Sequence, residues 1–334
     1  MAAGMDGVPK EILRAAYERK PIYLLKVPLH FGLWGACLWI LLQTQHSAYA
    51  IPVGIACSVF IANLIRGLGA VAHDAVHGSS SKSKLLSYLL SLLCWSPTGM
   101  SVTIYTNYHL HHHRIANTYP DVDNFVVTDY TRSPLLAKAL LLCVYTIGYP
   151  IYFMFAMFRY TKRLSALLRL RMYVELAGIF SLMGAGYLYL PHQVFFFFYG
   201  LPFLLGAFYA SFTSMIEHYE MLPGDDDAYS SRTYGTKAHF TNFIWNNVSY
   251  HNEHHKFPGI PFYNLRSFHE AAYPYYDDQV KAAVHPDIFP LAFRLWKRVL
   301  EVDISKLDVR YRGINREQER EKMMHLPGIP SGAA

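Results

Sequence analysis

The sequence has few charged residues and few cysteines, and each shortage excludes a class of protein. Only 16% of its 334 residues are Asp, Glu, Lys or Arg, whereas soluble domains average about 25%. The four cysteines, Cys37, Cys57, Cys94 and Cys143, stand in apolar stretches and form no C-x-x-C pair. A disulfide framework and a cysteine zinc site are therefore excluded. No run of basic residues with interleaved aromatics indicates nucleic-acid binding.

The sequence instead contains long apolar runs, and 52% of its residues are hydrophobic. Four runs are near the ~20 residues that a helix needs to cross a bilayer. These predicted spans cover residues 27–42, 48–70, 172–190 and 194–216. Two further apolar stretches, 85–104 and 135–158, are interrupted by proline and glycine, which favours interfacial or re-entrant helices.

Three short histidine clusters have spacings of three and four residues, which place their members on one face of a helix. The clusters are His73 with His77, His109 with His112 and His113, and His251 with His254 and His255. Imidazole is a common ligand for iron, zinc, copper and nickel. Eight histidines are too many for one ion but suit two adjacent ions. Zinc sites use three or four protein ligands, so a pair of iron ions with an open position for O2 fits the count better.

The three clusters must meet on one side of the membrane, so an even number of crossings separates them. The four spans satisfy this condition if they form two hairpins and if 85–104 and 135–158 do not cross. Five Lys or Arg residues lie in 159–171, whereas the connections 43–47 and 191–193 contain none. The positive-inside rule then places both termini and all the histidines in the cytosol. We predict one all-α integral-membrane domain over residues 1–334, with a cytosolic cap from 73–171 and 217–320.

The ordered trio HxxxH, HxxHH and HxxHH resembles the integral-membrane fatty acid desaturase and hydroxylase superfamily. The likeness covers roughly residues 64–268. Glu217-His218-Tyr219 and the segment 250–258 look most like sphingolipid (dihydroceramide) desaturases, and 72–78 is also similar to carotenoid ketolases. The resemblance implies a di-iron centre that activates O2 with electrons from an outside donor. It further implies a lipid or fatty acyl substrate taken from the membrane.

The resemblance also nominates His218 as a ninth metal ligand, with His239 as the weaker candidate for that place. In some acyl-CoA desaturases an asparagine one helical turn before this histidine holds a water on the metal. Ser214 occupies that position here. Because the sequence contains no cysteine array or recognisable haem domain, we expect a separate ferredoxin, rubredoxin or cytochrome b5 system as the donor.

Carboxylates near the clusters suit hydrogen bonds to the second nitrogen of a ligating histidine. The candidates are Asp74, Asp121, Asp123, Glu217 and Glu253. Asp74 and Glu253 stand inside the first and third clusters, and we predict that these two assist catalysis. A solvated loop or helix carboxylate is the alternative for each of the five.

Desaturation is the reaction that the sequence favours, and three alternatives stay open. A hydroxylase or ketolase would use the same scaffold, as would an oxidative decarboxylase that converts free fatty acids to terminal alkenes. A metal-binding transporter belongs to a different class. Transporter histidines tend to lie near the bilayer midplane, whereas these lie at the ends of the predicted spans. The protein would reside in the inner membrane of a bacterium or in the endoplasmic reticulum of a eukaryote.

Overall fold

Helices make up almost all of the regular structure, as the sequence predicts. A computed structural model describes residues 4–117, 121, 123, 125–127, 130–221 and 227–301. Parts of the predicted cap, residues 118–120, 122, 124, 128–129, 222–226 and 302–320, lie outside these ranges. The helices are α1 Lys10–Ala16, α2 Lys26–Thr44, α3 Ala50–Val76, α4 Lys84–Trp95, α5 Val102–Ile115, α6 Pro134–Cys143, α7 Tyr149–Tyr160, α8 Ala166–Tyr189, α9 His192–Phe195, α10 Leu201–His218, α11 His239–Ile244, α12 His251–Lys256, α13 Phe262–Ala272, α14 Asp278–Ala282 and α15 Ile288–Glu301.

Strands are minor within the described ranges. β1 Thr233–Tyr234 and β2 Val284–His285 form one parallel pair. Short turns of 3₁₀-helix or π-helix join several helices, so that α6 with α7, and α9 with α10, each form one continuous segment. The largest apolar core lies between α2, α3, α6, α10 and α15, and it supports the helix ends that carry the histidines.

Four segments of the described chain are long and apolar enough to cross a membrane, as expected for an integral membrane protein. They are Pro21–Thr44, Ala50–Val76, Pro134–Arg163 and His192–His218. Three of them overlap predicted spans, but Pro134–Arg163 covers a stretch that we predicted to be interfacial. The predicted span 172–190 lies in α8, which carries Arg169, Arg171 and Glu175 and is not one of the four. The crossing of α8, and the interfacial position of Pro134–Arg163, stay predictions.

A sharp bend separates α4 from α5 and turns the second histidine cluster toward the first. The axes of Lys84–Thr98 and Val102–Ile115 meet at 99°. Gly99 has φ +73° at this bend, a conformation that residues with a Cβ rarely adopt. Ser101 then caps α5, its hydroxyl accepting a hydrogen bond from the Ile104 N–H. The break lies where the sequence places Pro97 and Gly99.

The buried carboxylate of Glu175 fixes the start of α5 from the neighbouring helix α8. It accepts hydrogen bonds from the backbone N–H of Thr103 at 3.0 Å and from the hydroxyls of Ser101 and Thr103 at 2.5 and 2.6 Å. Tyr88 and Arg171 also contact it, at 2.9 and 3.3 Å. An anion at a helix N-terminus interacts favourably with the helix dipole. This network, which we call the Glu175 anchor, sets the position of the second cluster.

Gly67 lets the loop before the third cluster pack directly against α3. A Cβ at this position would lie 2.0 Å from the carbonyl oxygen of Ile244 and 2.8 Å from Nε2 of His30. The Asn246 side-chain amide donates to the Gly67 carbonyl at 2.8 Å. The contacts join α3 to the last residue of α11 and to the loop that follows it.

Gly67→Ala is therefore expected to destabilise the fold, by about 1–3 kcal/mol, because backbone must move to admit the methyl group. Thermal unfolding of the detergent-solubilised protein would show a lower midpoint. Gly178→Ala is the matched control, because among the described residues no atom lies within 4 Å of its added Cβ. Equal midpoints for the two variants would contradict the close contact at Gly67.

Candidate metal centre

The histidine clusters lie at helix ends that meet in one place. His73 is in the last turn of α3, and His77 follows directly as its C-terminal cap. The second cluster occupies the C-terminal half of α5, and His218 ends α10. The third cluster forms the short helix α12. All nine histidines proposed from the sequence come together.

Five of them form a first group, which we call site A. Its members are His73, His77, His109, His113 and His254. Their candidate ligand nitrogens all lie within 4.8 Å of one another. Nε2 of His109 is 2.9 Å from Nε2 of His77 and 3.0 Å from Nε2 of His113. Each of the three clusters contributes to site A.

The other four histidines form a second group, site B, next to the first. It consists of two overlapping triads that share His218, one with His112 and His255 and the other with Glu217 and His251, and within each triad the ligand atoms lie within 4.8 Å of one another. Nε2 of His218 lies 3.0 Å from Nε2 of His251. The rings of His113 in site A and His255 in site B stack with centroids 4.3 Å apart. The two sites are therefore direct neighbours.

The chemistry of the donor set fits a pair of metal ions. Imidazole binds a metal in its neutral form, and burial holds the pKa of His251, His254 and His255 well below the usual value. Burial also lowers the pKa of His77 to about 4. Within the described structure both ring nitrogens of the buried His255 lack a hydrogen-bond partner. Nitrogens that converge in this way suit cations placed between them.

Two of the predicted ligands are held by groups outside the sites. Nδ1 of His112 lies 3.0 Å from a carboxylate oxygen of the buried Asp121, which also accepts the backbone N–H of Asn117 at 2.9 Å. Nδ1 of His218 lies 3.0 Å from the carbonyl oxygen of Ser230. Such contacts orient the ring so that Nε2 faces the metal. The sequence names Asp121 among five candidates but gives no signal for Ser230.

Asp74 and Glu253 bind groups other than the nine histidines, and their role in catalysis stays a prediction. The Asp74 carboxylate accepts the Ser80 hydroxyl and the backbone N–H of Phe262, the latter at 3.1 Å. It thereby ties the end of α3 to the start of α13. In the part of the chain that the structure describes, its carboxylate contacts none of the nine histidines.

Glu253 likewise binds groups behind the third cluster. It accepts from Nδ1 of His269 at 2.5 Å, from the Tyr276 hydroxyl at 3.1 Å and from the Thr233 hydroxyl. Burial alone would raise the pKa of Glu253, but His269 and Thr233 outweigh burial and lower it. The carboxylate is thus an anchor for α12. On a short helix, residues two apart face opposite sides, so Glu253 points away from His251 and His255.

Of the remaining candidates from the sequence, Glu217 and Asp123 lie at or beside the histidine groups, and His239 lies away from them. His239 is exposed at the start of α11 and takes no part in either site. Asp123 accepts the hydroxyls of Tyr108 and Tyr149 and lies 3.7 Å from Nδ1 of His112. Glu217 lies at site B itself, closer than the sequence suggested. In the sequence, its position directly before His218 is the feature that indicates this location.

An apolar cavity of about 220 Å³ leads to the two sites. It runs between α3, α5, α7 and α10, and its inner end is lined by His73, His109, His112, His218 and His251. One face of α10 forms a wall with the small residues Gly206, Ala207 and Ala210, and Ser214 follows on the same face. Trp95, Pro97 and Thr98 line it beside the bend before α5. Its mostly apolar lining is typical of sites that bind apolar groups.

Comparison with known proteins agrees with this arrangement. Residues 47–286 match the family model described as "Fatty acid desaturase", and this range contains all nine histidines. The chain is 24% identical over 290 residues to the chloroplastic omega-6 fatty acid desaturase of Arabidopsis thaliana. That match covers 80% of this chain and 62% of the plant protein, so the chain spans less than two thirds of the relative's length. The chain belongs to the fatty acid desaturase family.

Proposed function

We propose that the protein desaturates a fatty acid or an acyl lipid, using O2 and a pair of iron ions. The observation that carries this proposal is the meeting of two neighbouring histidine groups with the inner end of an apolar cavity. Membership of the desaturase family supports a membrane oxidoreductase.

The five histidines of site A would hold one iron, and the four of site B would hold the other. Bound iron supplies the power to oxidise an unactivated C–H bond, which acid–base side chains lack. Contacts of Nδ1 with Asp121 and with the Ser230 carbonyl favour the tautomers of His112 and His218 in which Nε2 is the unprotonated nitrogen that would bind the metal. Asp74 and Glu253 hold the first and third clusters in place through α13 and its neighbours.

The cavity residues would select the carbon that reacts. Tyr105 stacks on His109 with ring centroids 5.1 Å apart, and both line the cavity. Apolar walls exclude water and confine an acyl chain so that one methylene lies beside the histidines. The small residues of α10 leave room in the cavity for the rest of the acyl chain. Position along the cavity would then decide which bond is oxidised.

The membrane arrangement that supports this chemistry has the sites at the cytosolic surface. Lys and Arg residues concentrate in 159–171, beside the ends that carry the histidines. A substrate would enter from the bilayer, and a separate electron-transfer protein of the ferredoxin, rubredoxin or cytochrome b5 type would reach the sites from the cytosol. The cytosolic cap predicted from 73–171 and 217–320 would cover the centre.

Mass spectrometry of lipids and volatiles from an expressing host tests the proposal, with His254→Ala as the inactive control. We expect a histidine-dependent product that is two hydrogens lighter than its precursor. A product heavier by one oxygen would make the protein a hydroxylase or ketolase, and a shortened terminal alkene would make it a decarboxylase. Identical lipids from both strains, in a host supplied with a donor system, would refute acyl-chain oxidation.

A further inference from the structure

The two metal sites are unequal if histidines alone are counted. Site A has five imidazoles in one group, whereas site B has four imidazoles in two triads that share His218. A buried carboxylate lies beside site B. Glu217, His218 and His251 each offer a ligand atom, and these atoms lie within 4.8 Å of one another. Glu217 would bring site B to five donors, equal to site A.

The two oxygens of Glu217 have different surroundings. Oε1 accepts a hydrogen bond from the Tyr234 hydroxyl at 2.8 Å and from the Arg66 guanidinium at 3.3 Å. Oε2 lies 3.9 Å from Nε2 of His251, the atom that also approaches Nε2 of His218. The donors on Oε1 therefore fix the carboxylate with its second oxygen toward the site.

The charge balance permits a carboxylate here. Glu217 is only 7% exposed, and a buried carboxylate is costly unless it is paired. Arg66, from the middle of α3, supplies one positive charge and also donates to the Thr213 hydroxyl at 3.2 Å. The cation contacts only one of the two oxygens, so the pair is compatible with a metal bond from the other.

The distances also agree with a shared ion. Metal–ligand bonds of about 2.1 Å place adjacent ligand atoms about 3 Å apart and opposite ones about 4 Å apart. The separations of His251 Nε2 from His218 Nε2 and from Glu217 Oε2 are 3.0 and 3.9 Å. Carboxylate oxygen together with imidazole is a usual donor set for non-haem iron.

We propose that Glu217 is the fifth protein ligand of site B, through Oε2, with Tyr234 and Arg66 as the residues that position it. The proposal rests on the proposed function, because it requires that the histidine groups bind metal. It gives site B one anionic ligand, whereas all the protein ligands of site A are neutral imidazoles. The two irons would therefore differ in their spectra.

The test uses the purified full-length chain loaded with ⁵⁷Fe(II) without O2, and compares it with Glu217→Gln. Glutamine keeps the size of the side chain but is a weaker ligand. We expect one of two Mössbauer components to change, and the affinity for the second iron to fall by about 10–100-fold, the range seen when groups that support a metal site are removed. Glu220→Gln is the matched control, because Glu220 binds Arg298 at the surface.

Three outcomes would overturn the proposal. If wild-type protein binds two irons and Glu217→Gln leaves both components and affinities unchanged, Glu217 is no ligand, while the proposed function survives. If wild-type protein binds no iron, the proposed function fails as well. If Glu217→Gln does not fold, the infrared difference spectrum between iron-loaded and metal-free wild-type protein is the test. A Glu217 carboxylate that binds iron shifts the carboxylate bands. The absence of any such shift would exclude Glu217 as a ligand.

Discussion

His254→Ala is expected to remove about one of the two bound irons and to abolish turnover. His254 belongs to site A, where its Nε2 lies 3.2 Å from Nε2 of His113. His112→Ala should have the same effect through site B, where His112 is held by Asp121. Because the proposed chemistry uses both irons, we expect either loss to lower activity by about 100-fold or more. Iron analysis of the purified variants and product analysis by mass spectrometry check both expectations.

The chain provides a close control for these two variants. His111 lies between the ligands in the sequence, but its ring is turned away from both sites and packs near Tyr160. His111→Ala should keep two irons and full activity. Retained turnover in His254→Ala or His112→Ala would contradict a two-iron centre built from these histidines.

Ala210→Trp is expected to stop turnover without disturbing the metal sites. Ala210 lines the cavity on the α10 face that leads to Glu217 and His218. An indole there would occupy the space proposed for the acyl chain and displace the reacting carbon. Because a misplacement of about 1 Å can cost about 100-fold in rate, we expect a loss of at least that size. Product formation and iron content, measured on the same preparations, separate the two effects.

Leu204→Trp is the control for the size of the new side chain. Leu204 lies on the same helix but is 50% exposed and does not line the cavity. This variant should retain both iron and activity. If Ala210→Trp were as active as Leu204→Trp, the substrate would have to bind somewhere other than this cavity.

The positions of the histidines could be predicted because each cluster has its own local spacing. Residues three and four apart share a helix face in any fold, so His109, His112 and His113 point together whatever surrounds them. The division into sites A and B could not be predicted. His112 and His113 are neighbours in the sequence but serve different sites, and this depends on how α5 is rotated against α3 and α12.

Contacts between distant segments explain the other differences from prediction. Asp74 and Glu253 stand inside their clusters. The Asp74 carboxylate nevertheless accepts hydrogen bonds from Ser80 and Phe262, and the Glu253 carboxylate accepts one from His269, rather than from a proposed metal ligand. The sequence does not distinguish Asp121 from the other four carboxylates, yet Asp121 lies within hydrogen-bond distance of Nδ1 of His112, at 3.0 Å. The pairing of Arg66 with Glu217 joins residues 151 positions apart. Spacing along the chain carries no information about such pairs.

The Glu175 anchor has a consequence for exchanging parts between members of the family. The carboxylate belongs to α8, but the groups that it binds, Ser101 and Thr103, begin the helix that carries the second histidine cluster. A chimera that takes only α8 from another family member would place that member's residue at position 175 opposite the donors Ser101 and Thr103. Residues 101–103 and 175 should therefore be exchanged together. They belong to different helices, α5 and α8, and a chimera joined between these helices would separate them.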